Sequence, residues 1–197
     1  MALIDTTQYT KIKETKNTHD TTSYNAIDNS ADKILTIGEP YEILKKHIGT
    51  IQKDKEYHFW TYGRYAMHHV MHYVLSQIGP ADIIACTWAI AKVAVEDILH
   101  LQQKGYIKSF KLWIDPRVRV RNPETLQMLK LQYPIAISPV HAKVTTLCNE
   151  NWKVSIFGSL NFTSNPQPER GCICTIPNVV DTDIKILEEA NYERFNG

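Results

Sequence analysis

The sequence predicts an α/β domain, a mixed β-sheet sandwiched between helices. Three observations carry this. Short runs rich in aromatic and β-branched residues recur along the chain, helical periodicities of about ten to fifteen residues separate the earlier ones, and the final third is almost wholly strand-like. The 197 residues suit one domain and are too few for two ordinary ones. A domain of this length buries roughly 70% of its unfolded surface, so it needs no disulfide or metal to fold. With 43% hydrophobic residues, 22% charged and a net charge of +1, a disordered chain, a collagen-like repeat and a membrane protein are excluded.

Residues 1–33 read as a flexible tail: seven of the first 22 are Thr, and no period is sustained. Residues 34–197 are expected to form a single domain. Tyr57 to Tyr62 is a short aromatic strand. Met67, Val70, Met71, Val74, Leu75 and Ile78 then line one face of a helix that Gly79-Pro80 ends. Asp82 to Trp88 is a second strand, a helix from about Ile90 to Lys104 stops at Gly105, and Phe110 to Asp115 is a third strand. Asn122-Pro123-Glu124 supplies an N-cap, a first-turn proline and an acidic residue for a helix reaching about Leu131. Strands are expected at Ile135 to Ser138, His141 to Leu147, Lys153 to Phe157 and Cys172 to Ile176. Asp181 is expected to cap a closing helix carrying Ile184, Leu187 and Phe195. No internal repeat is present.

Charge is unevenly distributed. From Phe110 to Lys153 seven basic residues face three acidic ones, a net of +4, and the remainder of the chain carries −3. Such a basic stretch suits a polyanion. Arg117, Arg119 and Arg121 alternate, so an extended segment would aim three guanidiniums to one side for phosphate contact. The opening residues lack the basic start and apolar core of a signal peptide, and the four cysteines are few and unevenly spaced; reduced thiols in a cytoplasm are expected.

The chemistry concentrates in His141-Ala142-Lys143 and Gly158-Ser159-Leu160-Asn161. Alternation on a strand puts His141, Lys143 and Thr145 on one face, with the imidazole and ammonium about 6 to 7 Å apart along the backbone. Ser159 and Asn161 can return a hydroxyl and an amide to the same end. A nucleophile, a fixed cation and two neutral hydrogen-bonding groups are what holding a phosphate under attack requires. No carboxylate cluster suited to Mg²⁺ accompanies them, so the expected chemistry uses no metal and no cofactor.

HxK, a short strand and GSxN resemble the signature of the phospholipase D superfamily, over about His141 to Ile173 and more weakly from about Tyr57. The resemblance implies that His141 attacks phosphorus to form a phosphohistidine, that Lys143 and Asn161 bind the phosphate oxygens with Ser159 beside them, and that Glu169 orients the histidine. One position departs from the pattern: Cys148 stands where the family has Asp, a residue regarded there as structural support. The family reaction takes two histidines, one attacking and one protonating the leaving oxygen, yet the chain has a single HxK. Small single-motif members of the family meet this need as homodimers with the site on the twofold axis. The implied function is therefore an endonuclease-type phosphodiesterase, a hydrolase acting on nucleic acid, with DNA preferred over RNA and no stable membrane association. Two rivals are a lipid phosphodiesterase, for which no apolar rim is evident, and a non-catalytic nucleic-acid-binding or assembly protein, which Cys148 favours.

His68 and His72 have the spacing of a zinc pair, but His69 occupies the place of a metalloprotease Glu and no third ligand is evident, so all three read as structural. Cys172 and Cys174 read as core thiols on opposite sides of a strand, unable to clamp one metal.

Overall fold

The apolar runs pair into one seven-stranded sheet: β1 (Glu56–Thr61), β2 (Ala81–Thr87), β3 (Ile107–Ile114), β4 (Ile135–Ile137), β5 (Val144–Cys148), β6 (Lys153–Gly158) and β7 (Glu169–Cys174). The computed structural model describes residues 38–193, so the tail at 1–33 and Phe195 lie outside it. The strand order is β1-β7-β6-β5-β2-β3-β4. β2, β3 and β4 run parallel, and β5, β6, β7 and β1 continue from β2 as an antiparallel ladder. Among the described residues six helices accompany the sheet: α1 (Gly38–His47), α2 (Met67–Ile78), α3 (Lys92–Gln103), α4 (Val118–Arg121), α5 (Pro123–Gln132) and α6 (Pro177–Glu188).

Alternation along each strand separates two cores. Ile83, Ala85, Phe110, Leu112 and Ile114 turn to one side and pack with the apolar faces of α2, α3 and α5. Cys86, Trp113 and Val144 turn to the other, where Leu187 of α6 meets them and α6 crosses β2, β5 and β6. Val70, Met71, Val74 and Leu75 of α2 are fully buried, and at roughly 1.5–3 kcal/mol for each large apolar side chain this face holds the helix in place. Among the described residues no helix is long and apolar enough to cross a membrane.

Several expectations are corrected. The strand expected from His141 begins at Val144, leaving His141–Lys143 as extended chain ahead of it, and β7 starts at Glu169, not at Cys172. Residues 118–121 coil into α4, because the Asp115 carboxylate accepts the Arg117 amide at 3.0 Å and the Asp115 carbonyl accepts the Val118 amide at 3.1 Å. The Asn122 side chain caps nothing; its amide donates to the Ile90 carbonyl at 3.0 Å. Asp181 lies inside α6 and pairs with Lys153 at 2.6 Å. Cys172 and Cys174 share a face, opposite His58 and Glu56, since residues two apart on a strand point the same way; both are buried thiols all the same.

Candidate active site

Beyond the last β2–β5 pair, Cys86 with Val144, the same register puts Thr87 beside Lys143. On the other flank the Gly158 amide donates to the Lys143 carbonyl at 3.2 Å. Lys143 is thus held between two strand ends with only 8% of its surface exposed. Its ammonium donates to the His141 carbonyl at 2.6 Å and lies 3.5 Å from His141 Nε2, while His141 itself is exposed at the mouth. Burial pulls the lysine below its ordinary pKa, and nearby Glu169 opposes the shift. Glu169 opens β7, 5% exposed, and burial raises its carboxyl above the usual range. Its carboxylate accepts a hydrogen bond from the Asn165 side-chain amide at 3.3 Å, and among the described residues it makes none to His141. Within one chain, Glu169 therefore balances Lys143; the contact to the histidine ring expected from the sequence is not formed.

Gly158 turns the chain out of β6 with φ of 150°, and a Cβ there would come within 2.2 Å of the Arg170 carbonyl, so only glycine lets the two backbones close. Ser159 Oγ accepts the Arg170 amide at 3.0 Å, which makes it a staple across the strand ends. Asn161 crosses β5 to meet β2, with its Oδ1 3.2 Å from Thr87 Oγ1, and its carbonyl accepts the Met67 amide of α2 at 3.1 Å. Thr87 Oγ1 also lies 3.0 Å from the Ala89 carbonyl, and its single proton serves one of the two acceptors; the Asn161 side-chain amide stands at this end as a group able to donate to an anion.

Three residues not assigned from the sequence complete the surroundings. Asp115, 3% exposed just after β3, receives the Arg117 guanidinium at 2.7 and 3.1 Å. These hydrogen bonds, with a further one from the Val140 amide, hold its carboxyl at about 2. One buried carboxylate thereby fixes both Arg117 and the loop leading to His141. Trp88, immediately after β2, carries the Arg117 and Arg121 guanidiniums over its ring at 4.7 and 4.5 Å, and its ring centroid is 6.3 Å from that of His141. The helical turn of α4 brings Arg117 and Arg121, four apart, to Trp88 and sends Arg119 to a separate hollow beside Ile135 and Ile137. The arginine triplet is therefore a pair plus an outlier. The signal for this was Asp-x-Arg at a strand end, followed by Arg at helical spacing. Thr87, the third, is a strand-end hydroxyl with no local pattern to mark it.

The departure at Cys148 falls at the far end of β5, opposite Asp82 and Lys153. Of the histidines on α2, His68 is buried, 3.4 Å from Asp97 of α3, and burial pushes it down to about 3, so it faces that carboxylate as a neutral ring. Potential ligand atoms of His68, His69 and Asp97 lie within 4.8 Å of one another. His69 Nδ1, however, already accepts the Ala66 amide at 3.0 Å, which leaves a neutral His69 ring no free lone pair for a metal. Potential ligand atoms of Glu56, His58 and Cys172 also lie within 4.8 Å of one another, and burial raises the Cys172 thiol to about 11.

No protein-family model and no curated protein matches the sequence. Solved structures do resemble the fold. A phospholipase D family member, Nuc from Salmonella typhimurium, aligns over 72% of this chain and 100% of its own with a TM-score of 0.50 and 17% identity. The phosphatidylserine synthase of Haemophilus influenzae Rd KW20 aligns over 71% of this chain and 40% of its own, with a TM-score of 0.50 and 11% identity. With a seven-stranded mixed sheet between helices, and with these neighbours, the chain has the fold of the phospholipase D superfamily.

Proposed function

We propose that the protein is a nucleic-acid phosphodiesterase, an endonuclease that works through a phosphohistidine at a site shared by two chains. The observation that carries this is the exposed His141 imidazole held 3.5 Å from the buried Lys143 ammonium, at the strand ends where Asn161 offers an amide. A His141 nitrogen attacks phosphorus, forming the N–P bond as the bond to the leaving oxygen breaks. That oxygen takes its proton from the protonated His141 of the partner subunit. Water then attacks phosphorus, gives its proton to the same partner histidine, and releases His141. Lys143 and Asn161 stabilise the charge developing on the non-bridging oxygens, and Ser159 keeps the Gly158–Asn161 segment closed on β7. Glu169 compensates the charge of Lys143 and, in the dimer, would orient a histidine ring. No residue in this scheme calls for a metal or cofactor.

Arg117 and Arg121 lie over the Trp88 ring, whose centroid is 6.3 Å from that of His141, and this aromatic and basic surface favours nucleic acid over lipid. The test is cleavage of plasmid and single-stranded DNA in EDTA by the wild type and by His141→Ala, with acid-quench trapping of a phosphorylated histidine. Activity that disappears in EDTA and returns with Mg²⁺ overturns the mechanism. Mixing wild-type and His141→Ala subunits tests the shared site: activity should follow the fraction of wild-type homodimers. A fully active monomer, or mixed dimers with half activity, overturns it.

A further inference from the structure

We propose that Trp88, with Arg117 and Arg121 stacked on it, forms a subsite for an unpaired nucleotide next to the scissile phosphate. The inference rests on the phosphodiesterase reading above and adds the strand state of the substrate. Trp88 stands at the carboxyl end of β2, where open α/β sheets place their ligands. Its half-buried ring lies 6.3 Å from the His141 ring, so a group resting on this stack is within one nucleotide of the phosphorus that His141 reaches. Indole and guanidinium are both flat groups, and either can engage the face of a base. In a duplex those faces are covered by neighbouring bases, leaving only edges exposed; an unpaired base is free to stack.

The two arginines differ in role. Arg117 is pinned to Asp115 at 2.7 Å, so its charge is offset and its plane fixed as a prop for the indole. Among the described residues no carboxylate pairs with Arg121, which sits 4.5 Å from the same ring with its charge free for a backbone phosphate. Arg119 lies apart from both.

The experiment compares a single-stranded oligonucleotide, the blunt duplex of the same sequence and methyl p-nitrophenyl phosphate, a diester with no base. Trp88→Ala should raise KM for the single strand by about 5- to 150-fold, the range of one base stack. The loss should be at least tenfold smaller on the duplex and on the small diester, and Trp88→Phe should restore most of the binding. Arg121→Ala should lower the salt dependence of single-strand affinity by about 0.7 in slope, with Arg119→Ala leaving it in place. Equal losses on all three substrates would make Trp88 a support for His141 and overturn the subsite; so would an unchanged KM. Anisotropy of a labelled single strand on the His141→Ala protein gives the same comparison without turnover. Failure of that protein and of the wild type to bind or cleave any nucleic acid overturns the parent reading, whereas Trp88-independent cleavage overturns only the subsite.

Discussion

The two ends of β5 put one stretch of backbone to different uses. At the amino end the chain leaves regular pairing, and Lys143 is buried with its ammonium turned back onto His141. At the carboxyl end Asn149 ties the connections together: its amide donates to the carbonyls of Ile78 at 2.9 Å and Pro80 at 3.2 Å, and its Oδ1 accepts the amides of Asn151 and Trp152, each at 2.9 Å. Lys153 and Asp181 add an exposed ion pair nearby. The residues proposed for chemistry are thus gathered at one end and fastening at the other. A departure from a family pattern weighs differently according to the end on which it falls.

The largest effects belong to the amino end. His141→Ala should lower turnover by several orders of magnitude with an unchanged circular dichroism spectrum. Lys143→Ala should cost roughly 10²- to 10³-fold in kcat, the loss expected for one preorganised charge facing the transition state. Lys143 must be charged to act, and burial lowers its pKa. The partner's His141 must also keep its proton to release the leaving oxygen, so the alkaline limb of the pH–rate profile belongs to the histidines and the lysine together. Lys143→Arg, which keeps a charge in place, should therefore retain more turnover than Lys143→Ala, and equal losses in the two variants would separate the lysine's charge from the chemistry.

Asn149→Ala addresses the other end. It removes a side chain that satisfies two carbonyls and two amides, and should cost about 1–3 kcal/mol. Thermal denaturation should show the midpoint drop by roughly 2–12 °C. Activity per folded molecule at low temperature should hold, and a selective loss of kcat would erase the division between the two ends.

The amino end was the more legible of the two in the sequence. His141, Lys143 and the Gly158–Asn161 turn were readable because their relation follows from spacing along extended chain, which no distant partner alters. The face of α2 was readable from a different local rule, the helical period of its apolar residues. Asn122 and Asp181 look like caps locally, yet each side chain finds a tertiary partner, the Ile90 carbonyl and Lys153. The alternating arginines read as a strand edge until the Asp115 carboxylate draws Arg117 into a turn. Trp88 became part of the site only when the ends of β2 and β3 met, and nothing in its immediate neighbours in sequence announces that meeting.

A smaller effect is expected at Glu169, which links the buried lysine to β7. Its carboxyl is raised by burial, so the folded state disfavours ionisation relative to the unfolded chain. Below the unfolded pKa both states are protonated and no penalty exists; it grows as pH rises through the folded pKa. Glu169→Gln should accordingly raise the melting midpoint at pH 8 and leave it unchanged at pH 4. The opposite order would mean that the Lys143 charge outweighs burial.

The smallest effect, and the sharpest test of the comparison, is expected of Cys148→Asp, which restores the carboxylate of the family pattern. Five residues of strand separate position 148 from Lys143, about 17 Å at roughly 3.4 Å per residue. A charge introduced there does not reach phosphorus held at His141. Its neighbours are Asp82, opposite it on β2, together with Asp181 and Lys153, and Lys153 is already paired with Asp181 at 2.6 Å. The added carboxylate therefore meets more negative than positive charge. A loss of about 0.5 kcal/mol is expected at neutral pH and low salt, shrinking as salt screens the repulsion. Turnover per folded molecule should stay within about twofold of the wild type, the scale of a surface substitution. A tenfold gain in kcat would show that the carboxyl end of β5 governs the histidine after all, and that the cysteine holds the enzyme in a weakened state.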